Sequence, residues 1–241
     1  MSILRTIALF VYLFGYMIVH YATLRRAERA LAAGDLDTVE QIVKANIPRW
    51  SRGILRVTGA RMTVEGQQNI PAGPCVFVGN HRSYYDIPIL LTALDAPHGI
   101  LAKEELEKIP LLNRWMKLLG CVFVKRDDIR ASVKALNDAT AIVESGRSFV
   151  IFPEGTRHQP EMMQEVESGT AIIALRARVP LLPVYIDGKI RPFHITHIYY
   201  GKPMELDDLY AQGVNNDTAH QLCQRIHDVF YAMRDEVHAS K

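Results

Sequence analysis

Net charge is nearly absent from this chain. Its 28 Lys and Arg are almost matched by 26 Asp and Glu, leaving a formal net charge of +2. No continuous basic stripe runs along the sequence, so the footprint of a phosphate-backbone reader is missing and no nucleic-acid partner is expected. Cysteine is scarce as well. Cys75, Cys121 and Cys223 are odd in number and each sits in an apolar pattern. That excludes a disulfide scaffold and predicts buried thiols in a reducing compartment. His194 and His197 stand three apart without a matching ligand pair, so no metal site is expected. A Walker phosphate loop and a dinucleotide fingerprint are both lacking. Ser83 has no Gly-x-Ser-x-Gly context, which argues against a serine nucleophile. Repeats, low-complexity tracts and a convincing second globular domain are also missing. What remains is a chain of 241 residues, 49% apolar, with enough material for one substantial α/β core.

Charge disappears altogether near the amino terminus. Thr6 through Leu24 contains no Asp, Glu, Lys or Arg. As a helix it would extend ~28 Å, about the hydrocarbon thickness of a bilayer. Tyr12, Tyr16 and Tyr21 suit interfacial positions, whereas His20 interrupts the apolar run. The segment reads as a spanning anchor, with an interfacial helix as the alternative and a buried helix or processed leader behind it. Arg5 precedes it, and Arg25, Arg26 and Arg29 follow. The heavier positive flank predicts an inner-membrane protein whose main domain faces the cytoplasm.

The expected organisation is a hydrophobic anchor over residues 1–25, a helical linker over 26–50 and the main domain over 51–241. Asp35 through Thr38 suits a helix cap, and Pro48 is expected to end the linker helix. Residues 53–66 read as irregular sheet, with Val57, Met62 and Val64 facing inward. Short apolar runs at 75–79, 98–102, 121–125, 148–152 and 181–186 predict buried strands. Helices are expected over Ile129–Val143, capped by Asp127 or Asp128, and over 167–176. An amphipathic helix over 216–236 presents Ala219, Leu222, Cys223, Ile226, Val229, Phe230 and Met233 on one face. The fold class is therefore α/β: a mostly parallel or mixed central sheet covered by helices, with an amino-terminal membrane-associated helix.

Reactive residue types follow the predicted strands. Asn80-His81-Arg82-Ser83-Tyr84-Tyr85-Asp86 places an imidazole and a carboxylate five positions apart. An imidazole can take a proton near neutral pH, and a carboxylate can hold its tautomer. Phe152-Pro153-Glu154-Gly155-Thr156-Arg157 repeats the strand-then-loop placement. Gly155 permits close backbone approach, and Arg157 offers a planar fork for phosphate or carboxylate. A third strand ends in Lys125-Arg126, and Lys103 is a weaker candidate for the same anion site. Each pattern alone also fits a structural pair or a surface turn.

Together these segments resemble the glycerolipid acyltransferase family, most closely the bacterial 1-acylglycerol-3-phosphate acyltransferases. The resemblance is carried by four ordered blocks within residues 50–205. They are Asn80-His81 with Asp86; Gly120, Phe123 and Arg126; Phe152 through Arg157; and Val179-Pro180 with Pro183. It implies a glycerol-3-phosphate acyltransferase-like fold and transfer of a fatty acyl group from acyl-CoA or acyl carrier protein to a lysophospholipid. The acceptor would be the sn-2 hydroxyl of 1-acyl-glycerol-3-phosphate, and no cofactor is implied. His81 would be the general base, oriented by Asp86. Arg126, Glu154, Gly155, Thr156, Arg157 and Lys103 would bind substrate, while Asn80, Gly120, Phe123, Pro153 and Pro180 would shape the site. Two departures stand out: His158 replaces the serine of many relatives, and Gln164 through Gly169 is acidic and lacks a lysine found there. They leave another lysolipid acceptor open, a lyso-ornithine lipid for example, with thioester hydrolysis as a further alternative.

Overall fold

The computed structural model describes residues 3–94, 98–125, 128–154, 166–188 and 194–239. In chain order the elements are α1 (Ile3–Val19), α2 (Tyr21–Ala32), α3 (Leu36–Thr58), β1 (Arg61–Glu65), β2 (Val76–Gly79), α4 (Asp86–Ala93), β3 (Gly99–Lys103) and α5 (Leu112–Leu119). They continue with β4 (Val122–Val124), α6 (Ile129–Glu144), β5 (Phe149–Ile151), α7 (Ser168–Ala177), β6 (Leu181–Asp187), β7 (Ile195–Tyr200), α8 (Asp207–Gln212) and α9 (Asn216–Ala239). Two compact units divide the chain. One contains Met1–Met62, Tyr84–Phe123 and Gly188–Thr196; the other contains Thr63–Ser83, Val124–Asp187 and His197–Lys241.

The first unit is a helical cluster around α3. Asp35 caps that helix by accepting from the Thr38 N–H at 3.0 Å, as its sequence context predicts. Pro48 does not end it. The helix runs on to Thr58 and stops at Gly59, whose φ of 73° suits a left-handed cap. The carbonyl that Pro48 cannot serve belongs to Lys44, an exposed residue, so water can satisfy it. Packing against α1, α2, α4 and α5 then favours the continuous helix. Consequently residues 53–58 are helical rather than sheet, and the helix crosses the expected boundary at residue 50. Among residues 59–66, β1 alternates exposed and half-buried, with Met62 and Val64 inward as expected.

Helix α1 lies against α3 at Gly53. A Cβ there would fall 1.7 Å from the Tyr12 hydroxyl oxygen, so glycine is what allows this approach. Tyr12 Oη donates toward the Trp50 carbonyl at 3.3 Å, and Tyr16 Oη toward the Asn46 carbonyl at 3.2 Å. The helix breaks at His20, whose ring stacks on Tyr16 at 3.9 Å. Among the described residues no single helix is long and apolar enough to cross a membrane; α1 and α2, bent by 55°, reach that threshold only as a pair. The uncharged stretch is thus shorter as a straight helix than its composition suggests. Arg114 of α5 grips Glu28 of α2 through two bonds of 2.6 Å. This bidentate contact holds the Glu28 carboxyl below its ordinary range. Strands β3 and β4 are hydrogen-bonded neighbours.

The second unit holds β2, β5 and β6 and the larger parts of β1 and β7, in the strand order β1-β7-β6-β2-β5. β2 is parallel to β5 on one side and to β6 on the other, and β7 runs antiparallel to β6. The sheet is therefore mixed. β2 and β6 are buried along their whole length, as expected of strands covered on both faces. Helices α6, α7 and α9 pack on β5, β2 and β6 respectively. Asp128 caps α6 by accepting from the N–H groups of Arg130 and Ala131. The inward face of α6 is Ala135, Ala139, Thr140 and Val143, whereas Ile129 and Val133, which share the helical period of Ala139 and Val143 in the sequence, are exposed. α9 buries Ala219, Leu222, Cys223, Ile226 and Phe230, the face its periodicity predicts. The three cysteines are buried and unbridged. Burial pushes the Cys75 thiol up to about 11, which makes it a poor nucleophile.

Candidate functional site

The parallel pairing of β2 with β5 and β6 sends their carboxyl ends to one side of the second unit. That is where open α/β sheets place their ligands. Asn80 and His81 leave β2 there, Phe152, Pro153 and Glu154 leave β5, and Ile186 and Asp187 finish β6.

Asn80 fixes the exit from β2. Its side-chain amide donates to the Ile186 carbonyl at 2.9 Å and its Oδ1 accepts from the Ile186 N–H at 2.7 Å. The side chain therefore pairs with β6 as another peptide unit would, and it is buried. A primary amide is suited to this because it presents a donor and an acceptor side by side.

His81 follows and is held from two sides. Its backbone N–H donates to Glu154 Oε1 at 3.0 Å. Its ring stacks on Phe152, with centroids 4.3 Å apart and planes inclined by 29°. Glu154 is buried, so its carboxylate serves the backbone of the histidine turn. Pro153 is buried, and its carbonyl accepts from the Glu167 N–H at 2.9 Å. That bond ties the residue before α7 to the end of β5. Arg126, Gly155, Thr156, Arg157 and His158 lie outside the described residues.

The remaining predicted site residues are described within their own elements. Asp86 is the first residue of α4 in the first unit, and it is fully buried. Lys103 ends β3; it is exposed and pairs with Glu105 at 3.4 Å. Gly120 terminates α5 with φ 88°, a conformation that favours glycine. Phe123 is half-buried in β4. Pro180 corrects an expectation. Its carbonyl accepts from the Val76 N–H at 3.0 Å, so it stands where β2 and β6 begin, at the opposite end of those strands from His81. It shapes the strand entry and not the His81 edge. Among the described residues no group of His, Cys, Asp and Glu is placed to hold a metal ion.

The first unit also holds a partly open cavity of about 660 Å³. Leu13 and Met17 of α1, Ile54 of α3, Leu91 of α4, Ile100 of β3 and Trp115 of α5 contribute to its wall. The wall is almost wholly carbon. Tyr16 and Asn46, which also line it, spend polar atoms on hydrogen bonds to helix backbone. Such a chamber suits a long apolar chain and offers little to a polar ligand. Sequence reasoning missed it, because its walls come from five separated elements, each of which reads as ordinary core. It also missed Phe152 as the platform for His81. An aromatic directly after a buried strand was the available signal.

Comparison with known proteins gives a consistent picture. A family model described as Acyltransferase matches residues 61–187. A probable 1-acyl-sn-glycerol-3-phosphate acyltransferase of Mycoplasma pneumoniae is 31% identical over 140 residues, covering 56% of this chain and 53% of the relative. The 1-acyl-sn-glycerol-3-phosphate acyltransferase of Borreliella burgdorferi is 35% identical over 131 residues, covering 54% and 52%. The chain thus spans about half the length of these curated relatives. A crystal structure titled as the 1-acyl-sn-glycerophosphate acyltransferase PlsC from Thermotoga maritima superposes with a TM-score of 0.69 at 25% identity, covering 98% of both chains.

Proposed function

This chain belongs to the acyltransferase family, and from that premise we propose that it moves a fatty acyl group onto the sn-2 hydroxyl of 1-acyl-glycerol-3-phosphate, forming phosphatidic acid. The donor is a thioester, acyl-CoA or acyl carrier protein. His81 takes the hydroxyl proton as the oxygen attacks the thioester carbonyl carbon. The carbon–sulfur bond breaks, and the departing thiolate recovers the proton from the imidazolium. Asp86, five residues on, orients His81 and stabilises its charged form. Arg126 and Arg157 hold the acceptor phosphate, since guanidinium forks match its oxygens. No cofactor enters this scheme.

The observation that carries the reading is the fixation of His81. Its backbone is bound by buried Glu154 and its ring rests on Phe152, so the base is held in place before substrate arrives. The names of the relatives support the acceptor. The carbon-lined cavity of the first unit supports a long acyl chain as the group transferred. Burying each methylene contributes ~0.8 kcal/mol, so such a chamber can bind a long chain firmly.

The outer face of α1 fits the same function. Ile3, Leu4, Ile7, Val11 and Ile18 are all exposed and apolar. We place this helix in the interface of the inner membrane, on the cytoplasmic side, where a lysolipid acceptor resides.

The decisive experiment is an acceptor panel with one labelled thioester and the purified chain. Label should appear in phosphatidic acid when lysophosphatidic acid is supplied. Label passing only to another lysolipid, or released as free acid at the same rate without acceptor, would defeat the assignment. In the same panel Arg157→Ala should lower kcat/KM for the phosphorylated acceptor roughly 10- to 100-fold, the worth of a charge-assisted hydrogen bond. An equal loss on a phosphate-free acceptor would remove Arg157 from the anion site. The cavity can be tested separately. Ile100→Trp fills part of it and should shift preference toward shorter donors, with about fourfold lost per methylene that no longer fits. An unchanged profile across a series of saturated donors would count against the cavity as the acyl site.

A further inference from the structure

One face of α3 has no part in this chemistry. Arg49, Arg52 and Arg56 occur at i, i+3 and i+7, which gathers them within about 60° of the helix circumference. All three are exposed. Among the described residues no ion pair engages any of them. The same face continues toward the helix start through Ala45 and Thr38, so it carries no carboxylate of its own. Like charges at these spacings repel, and an external anion would relieve them.

The row borders the apolar surface of α1. Tyr12 Oη approaches the Arg49 carbonyl at 3.4 Å. Arg56 acts electrostatically on the Tyr12 phenol, and Arg49 on that of Tyr16. The outward side chains of α1 include Leu4 at 80% and Val11 at 67% exposure. A helix of bare hydrocarbon therefore lies beside a line of guanidinium groups. When such a helix sinks its apolar face to the acyl boundary, long basic side chains beside it reach the level of the headgroups.

We propose that Arg49, Arg52 and Arg56 form a headgroup-binding rim that gives this protein a preference for anionic bilayers. The partner is a lipid surface of net negative charge, recognised through its phosphates. The inference rests on the reading that α1 lies in the membrane interface.

The test is flotation of the purified 241-residue chain with phosphatidylcholine vesicles and with vesicles enriched in phosphatidylglycerol. The unaltered protein should bind the anionic vesicles more tightly, with an advantage that fades as salt is raised. Changing Arg49, Arg52 and Arg56 together to Gln should remove that advantage, on the order of fivefold per arginine and 100-fold for the three. Binding to phosphatidylcholine should survive the change, and the matching triple Lys variant should keep most of the anionic preference. Three results would overturn the rim. One is an anionic preference that persists in the triple Gln variant. A second is no preference in the unaltered protein, and there retained binding to phosphatidylcholine would leave the α1 reading standing while no binding to either vesicle would end both. The third is normal vesicle binding by the triple Gln variant with slower turnover from acyl carrier protein, which would assign this face to a protein donor.

Discussion

Replacing His81 with alanine is expected to cut acyl transfer by 10²–10⁴-fold or so, the usual worth of a positioned general base. The lysolipid hydroxyl is a weak nucleophile until its proton has somewhere to go. In the proposed reaction only the imidazole supplies that destination. The fold should survive the change. His81 is half-buried, and its stack on Phe152 contributes on the order of 1 kcal/mol. The backbone bond to Glu154 does not depend on the side chain. A thermal transition close to that of the unaltered protein, together with lost turnover, would separate chemistry from stability. Substitution by Gln makes a second check, because it offers hydrogen bonds but cannot accept the proton. Near-normal turnover by either variant would rule out His81 as the base.

Asn80→Leu should be the most destabilising single change considered for this site. The leucine approximates the volume but leaves the Ile186 N–H and C=O without the partners they have at 2.7 and 2.9 Å. A buried group stripped of its hydrogen bond costs about 1–3 kcal/mol, so the pair costs roughly 2–6 kcal/mol. That is a large share of the stability of a typical domain. For a chain of this size it corresponds to a fall in Tm of about 5–20 °C. Activity should decline in parallel, since Asn80 immediately precedes His81. Differential scanning calorimetry decides the matter. A melting temperature within a degree or so of the unaltered protein would show that β2 and β6 do not need this amide.

Local chemistry made much of the fold legible. Asp35 and Asp128 could be read as caps because a carboxylate that accepts backbone N–H groups acts over two or three residues. The buried strands and α9 could be read because their apolar periods are written directly in neighbouring residues. Where long-range packing competes with local preference, the reading failed. Pro48 is a helix breaker by its own chemistry, yet α3 continues through it under the packing of its neighbours. Ile129 and Val133 have the spacing of a core face, yet the burial of α6 is rotated away from them.

The candidate site divides in the same way. His81 could be placed after a strand from sequence alone. That Glu154 would bind the backbone of His81 across 73 residues could not be foreseen, nor that Asn80 would bridge to Ile186 across 106. The order of residues determined which reactive groups this protein carries and which short elements flank them, because caps, turns and periodicity are decided by near neighbours. Only the tertiary structure decided which groups hold His81 still and where a carbon-lined chamber opens. Those features arise from the pairing and packing of segments far apart in the chain, and no local pattern encodes them.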